Sequence, residues 1–321
     1  MNRWSAIIII FFGILFSFLG VGFATDKLPV VVTIAPQKYF VQQIGKDLVD
    51  VHVMVQPGAD PHTYEPKPQQ MVAVSRAKLY FAVGIEFEEA NLKKITATNP
   101  NMRVIHTDHG IEKIPMEAHH NHDDHAEEHH DADHHEADRD HEKDEYHGEA
   151  EHDKDHHEHA GLDPHIWLSP PLVKIQARTL LDALKEADPA HRSVYEANFK
   201  EFAAQIDQLD AELKKIFEGK EGLQFMVFHP PWGYFAHAYG LEQVPIEIEG
   251  KDPKPAQLKE LIQHAREKGI KVVFVQPQFS TKSAELIARE IGGQVAFADP
   301  LAEDWMANLR EVADKFRAAL K

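Results

Sequence analysis

Histidine is used in excess in this sequence, at 23 of 321 positions, and in two different ways. Between His119 and His135 the stretch HHNHDDHAEEHHDADHH sets His119, His120, His122, His125, His129, His130, His134 and His135 among six carboxylates. Imidazoles and carboxylates together are metal-ligand chemistry. The tract continues to His159, holds fourteen histidines, and has almost no apolar residues beyond four alanines and Tyr146. It cannot bury enough surface to offset the entropy of ordering, so composition predicts a disordered insertion over residues 117–159. A flexible chain cannot preorganise four ligands. Its sites are expected to be weak, to take Cu2+ and Ni2+ as well, and to weaken further below about pH 6, where imidazole protonates.

The other nine histidines are scattered. His52 falls in a strand, His191 in the first turn of a helix, and His264 on a helix face beside Arg266 and Lys268; these are bland surroundings. Three differ. His62 lies in PGADPHTYEPKP just past a strand, His165 in LDPHIWLSP just before a helix, and His229 ends the strand LQFMVFH. Proline next to or near each of them stiffens the backbone. Asp299 sits in the same way in FADPL. Three imidazoles and a carboxylate form a tetrahedral N3O set that suits Zn2+, although four unrelated polar residues would read the same way from spacing alone.

The elements that must position these residues alternate between strand and helix. LPVVVTIAPQ (Leu28 to Gln37, broken by Pro36), VDVHVMVQPG, LYFAVG and MRVIHTD read as strands in the first part, with helices over YFVQQIGKD and KPQQMVAVSRAK. After the tract, Ser169 reads as the cap of a helix ending near Ala187, and Asp188-Pro189 as the start of a long one. In that helix Tyr195, Phe199, Phe202, Ile206, Leu209, Leu213 and Ile216 repeat at three- and four-residue steps. One apolar face lying along the protein's own body accounts for them. A second alternating unit follows: strands LQFMVFH, IKVVFVQP and QVAFADP, and helices over PPWGYFAHAYG, PAQLKELIQHAREKG and STKSAELIAREIGG, the last capped by Ser280. The expected fold is α/β: two open-sheet lobes joined by a long rigid helix, with the site in the cleft between them, where strand carboxyl ends meet. The expected division is a leader over 1–24, an N-terminal lobe over 25–190 interrupted by 117–159, a linking helix over 191–219 and a C-terminal lobe over 220–321.

Charge and composition narrow the classes. Of the net charge of −18, residues 117–158 carry −15 (18 acidic against 3 basic), leaving −3 for the body. No basic patch invites nucleic acid. Arg3, the apolar run of fifteen residues from Ile7 to Val21, and Gly22 and Ala24 before a cleavage point predict an exported protein. That run is short for a span of roughly 20 residues. There is no cysteine, hence no thiolate site and no acceptor for a lipid anchor. Export without an anchor points to the periplasm.

The motifs VVVTIAPQKYFVQQIGKD, VMVQPGADPHTYEPKPQQM, DPHIWLSP, FHPPWGYFAHAYGL, IEGKDPKPAQLKELI, PQFSTKSAELIAREIGG and DPLAEDW, in this order, resemble the metal-binding solute-binding proteins of ABC importers for zinc and manganese, the zinc-uptake branch in particular. The resemblance covers essentially the whole chain after the leader. It implies His62 as first ligand, His165 as second, His229 as third and Asp299 as fourth, with water as the fallback for the last. Manganese members usually carry glutamate at the third position, so histidine there implies Zn2+, with Mn2+ as the alternative. Some zinc members place a glutamate directly before the first histidine; here Pro61 stands there. Asp60, Asp163, Glu247 and Glu249 are candidates to orient the imidazoles, and Trp167 and Trp232 to pack near the cleft. The resemblance also implies a monomer that delivers metal to an ABC-transporter membrane permease. It favours a metal-gathering role for the His-rich tract over a sensor of metal sufficiency or a solvating linker.

Two other functions compete. A zinc hydrolase could use the open position to activate water, but H-E-x-x-H and G-x-S-x-G are both absent. A periplasmic zinc buffer or chaperone would need no transporter.

Overall fold

Short runs of β-branched and aromatic residues become strands, and the helices between them force those strands to lie parallel. The computed structural model describes residues 26–116, 161–248 and 250–320. Strands β1 (Leu28–Val32), β2 (Val49–Val53), β3 (Leu79–Ala82) and β4 (Arg103–His106) alternate with helices α1 (Ala35–Gly45), α2 (Pro68–Arg76) and α3 (Glu86–Thr98). They pair in the order β2-β1-β3-β4, all parallel. Helices α4 (Pro170–Ala187) and α5 (Arg192–Phe217) follow. A second all-parallel sheet is then built from β5 (Gln224–Val227), β6 (Glu242–Pro245), β7 (Val272–Val275) and β8 (Gln294–Phe297), in the order β6-β5-β7-β8. Helices α6 (Gly233–Tyr239), α7 (Pro255–Glu267) and α8 (Lys282–Glu290) cross over, and α9 (Trp305–Ala319) ends the fold. The α/β reading with two parallel sheets and a long helix holds.

Both sheets have the same strand order, and this directs the chemistry. The carboxyl ends of the strands carry the loops, and ligands bind where the order reverses. In the second sheet each strand releases a polar residue within three positions of its end: His229 after β5, Glu247 after β6, Gln278 after β7 and Asp299 after β8.

The long helix α5 has 26 residues and, at about 1.5 Å per residue, runs roughly 39 Å. It buries Tyr195, Phe199, Phe202, Ala203, Ile206, Leu209, Leu213 and Phe217 on one face. That face joins a core shared by both sheets, from Val30 and Phe81 to Phe225 and Phe316. A separate apolar cluster under α7 and α8 lines the outer side of the second sheet. Because α5 belongs to the shared core, it packs against both lobes.

Three elements were not read from the sequence. Helix α3 buries only Phe87, Glu88 and Ile95, too few to make an apolar stripe. Strand β6 is four residues long and ends on Pro245. Helix α9 has a clear stripe, with Trp305, Met306, Leu309, Val312 and Phe316 buried, and could have been read. Two caps differ from expectation. Ser169 occupies the cap position of α4, but its side chain makes no capping bond. Thr281, not Ser280, takes the cap position of α8, because the helix begins at Lys282. The leader over 1–24 and the tract residues His119, His120, His122, His125, His129, His130, His134 and His135 lie outside the described residues.

Leu209 is fully buried where α5 meets the shared core. Leu209→Ala is expected to cost about 2–5 kcal/mol by removing methylenes the site cannot refill. Chemical denaturation of the metal-free protein measures this.

Candidate metal centre

His62, His165 and His229 come together. They line one small pocket, about 30 Å³, with Pro61, Glu86, Trp167 and Gln278 among its other walls. The ring centroids of His62 and His229 stand 5.3 Å apart, and so do those of His165 and His229. Two imidazoles sharing one tetrahedral ion at about 2.0–2.1 Å place their centroids roughly 5.2 Å apart. Among the described residues no group of three or more His, Asp or Glu side chains stands close enough together to hold a metal ion as placed.

The orientation of each ring is set from behind. His62 Nδ1 donates to Glu86 Oε2 at 2.8 Å, His165 Nδ1 to Asp163 Oδ1 at 2.7 Å, and His229 Nδ1 to Glu247 Oε1 at 2.7 Å. A carboxylate only accepts, so each Nδ1 carries a proton, and in the neutral ring each Nε2 then keeps its lone pair. His229 Nε2 is buried and has no protein partner. Two of the expected orienting carboxylates, Asp163 and Glu247, act this way. Asp60 does not: it accepts from the His62 backbone N–H at 2.9 Å and from Thr63. Glu249 lies outside the described residues. The partner of His62 is Glu86, which the sequence reading missed together with its helix α3.

Glu86 is held by its own helix start. Two residues on, Glu88 folds back under the β3–α3 turn and accepts from the backbone N–H groups of Val83 (2.8 Å), Gly84 (2.6 Å) and Ile85 (3.4 Å). Thr33 also donates to it. Burial pushes the Glu88 carboxyl up, and these donors only partly offset it. The turn needs a glycine: Gly84 has φ +81°, and a Cβ there would meet Asp108 and Lys113 at 2.5 Å.

His165 and His229 sit deep, with side chains 8 % and 7 % exposed, whereas His62 is 31 % exposed. The His165 loop is bonded to the second half of the chain. Trp167 Nε1 donates to Pro300 O (2.8 Å), Trp305 Nε1 to Trp167 O (2.6 Å), and Tyr234 OH to Asp163 O (2.9 Å). Trp167 therefore walls the pocket, as expected. Trp232 instead packs in the core against Phe235 and Phe316. Burial lowers the His165 pKa, with His229 and His62 adding to the effect and Asp163 opposing it.

Asp299 stands one step back. It is absent from the pocket wall, where its neighbours Gln278, Pro300 and Leu301 appear. Its Oδ1 accepts from Gln278 Nε2 (3.0 Å) and Leu301 N (2.9 Å). The other histidines are elsewhere: His52 pairs with Asp50, His191 with Asp188, and His264 with Gln224.

Comparison with known proteins places this arrangement in a family. A family model described as zinc-uptake complex component A, periplasmic (ZnuA), matches residues 30–319. The chain belongs to that family. It is 31 % identical to the high-affinity zinc uptake system protein ZnuA of Bacillus subtilis strain 168 over 280 residues, covering 86 % of this chain and 79 % of that protein. It is 26 % identical to the Yersinia pestis protein of the same name over 310 residues, 91 % of each. A crystal structure of ZnuA superimposes with a TM-score of 0.77 at 42 % identity, covering 92 % of this chain and 100 % of that one. Membership in the zinc-uptake complex component A family answers the hydrolase alternative: the chain is an uptake component and not an enzyme. The family description is also periplasmic, in line with an exported protein.

Two outcomes follow. A Cβ at Gly233 would meet Asp163 Oδ2 at 2.6 Å. Gly233→Ala is therefore expected to displace Asp163 from His165 and weaken zinc binding about tenfold, measured by chelator competition. For pH, the folded protein resists protonating His165 while the unfolded chain accepts a proton near pH 6.5. Its contribution is present above about pH 6.5 and is lost as pH falls toward the depressed folded value. Melting temperatures of the metal-free protein across this range should show the slope, and His165→Asn should flatten it.

Proposed function

We propose that this protein captures Zn2+ between its lobes through the Nε2 atoms of His62, His165 and His229 and delivers it to the membrane permease of an ABC importer. The observation that carries this reading is the shared orientation of the three rings. Each spends Nδ1 on its own carboxylate, and all three rings line the same pocket. The three carboxylates also supply negative charge behind neutral ligands, which favours a dication. Three nitrogen donors suit zinc better than manganese, which prefers oxygen. The fourth side of the pocket is faced by Gln278. The more exposed His62 faces the way in, and the braced helix α5 limits opening to a modest tilt of the lobes. The 117–159 tract, with His119 to His135 at its front, gathers metal near the mouth of the site as weak, tethered ligands. The functional protein is a monomer, exported to the periplasm by the leader over 1–24.

Competition against graded chelators tests the proposal. We expect one tight zinc site, weakened at least about a hundredfold by His62→Ala, and several weak sites that disappear on deletion of 117–159. A single uniform class of sites, unaffected by His62→Ala, would overturn it.

A further inference from the structure

Two buried atoms of this pocket lack protein partners: His229 Nε2 and Gln278 Oε1. Buried polar atoms are nearly always satisfied, so each such exception calls for a cause. Both atoms are acceptors. With Nδ1 turned to Glu247, the neutral His229 ring leaves a lone pair on Nε2, and Oε1 is a carbonyl oxygen. Two acceptors cannot satisfy each other, but a cation satisfies both.

The Gln278 amide is not free to turn. Its Nε2 donates to Asp299 Oδ1 at 3.0 Å, and a flipped amide would set a carbonyl against a carboxylate. The anchor is fixed in turn. Leu301 N donates to the same Oδ1 at 2.9 Å, and Asn308 Nδ2 donates to the Asp299 carbonyl at 2.8 Å. The loop after β7 holds His229 as well. Gln276 Nε2 donates to His229 O at 2.7 Å and Gln276 Oε1 accepts from His229 N at 3.3 Å, while the Phe279 ring stacks on the His229 imidazole with centroids 4.9 Å apart. One loop therefore sets both His229 and Gln278. Of the two residues on this side, Gln278 lines the pocket and Asp299 does not.

We propose that Gln278 Oε1 is the protein oxygen on the fourth face of the captured ion, and that Asp299 is its anchor and not the ligand. This rests on the three-histidine zinc site proposed above. It has a consequence for selectivity. A neutral amide oxygen adds no charge beside the ion, so three nitrogens dominate the site, and hard oxygen-seeking cations such as Mn2+ gain less than they would from a carboxylate.

The test uses the metal-free mature chain with half an equivalent of metal, so that only the tightest site fills. Zinc affinity is read by chelator competition, and coordination by the visible absorption of Co2+ as a probe. Gln278→Met and Gln278→Ala remove the oxygen; using both guards against one failing to fold, which melting of the metal-free form reports. Asp299→Asn keeps an acceptor oxygen for Gln278 and Leu301 but removes the charge. We expect both Gln278 variants to lose about tenfold or more in zinc affinity and to change the Co2+ spectrum. Asp299→Asn should stay within about threefold of wild type with its spectrum unchanged. Collapse of binding in Asp299→Asn with wild-type behaviour in the Gln278 variants overturns the assignment and makes the carboxylate the ligand. Equal losses in both, or no change in any, overturn it too. His229→Ala separates the two readings: if it binds like wild type, the three-histidine site itself falls, whereas its loss beside silent Gln278 variants removes this inference alone.

Discussion

Three bonds from imidazole Nδ1 to carboxylate govern this site. Each fixes a tautomer and a ring direction together, and without them three neighbouring histidines could present either nitrogen, or a proton, to the pocket. The carboxylates come from different parts of the fold: Glu86 opens α3, Asp163 sits two residues before its histidine, and Glu247 follows β6. The remaining architecture brings these pairs to one place. Two parallel sheets of the same strand order point their carboxyl ends into a common space, and a helix buried in a shared core keeps them there.

The three pairs are not equivalent. His165 is tied by Trp167, Trp305 and Tyr234 to the same half of the molecule as His229, so these two buried rings form a fixed base. His62 with Glu86 belongs to the other sheet and is more exposed. A modest tilt between the lobes would therefore part His62 from the other two without breaking them up.

Some of this was legible residue by residue. His62, His165 and His229 stood out because proline lies next to or near each at the end of an element, and the structure brings all three together. Asp163 was legible as an orienting group because it lies two positions before its histidine, whereas Glu247 was one of four candidates and follows a strand that was not read. Glu86 was not, because it lies 24 positions from His62 on a helix whose apolar pattern is too sparse to read. Gln278 was invisible for another reason: an amide has no compositional signature of a metal site, and its part depends on which of its two ends faces the pocket.

The sequence alone determined the alternation of strand and helix, the concentration of charge in one tract and the three isolated histidines, because periodicity and residue chemistry are local properties. Tertiary structure decided which carboxylate each histidine's Nδ1 meets, and that Gln278, not Asp299, lines the pocket. Those outcomes depend on distances between residues far apart in the chain, which packing alone sets.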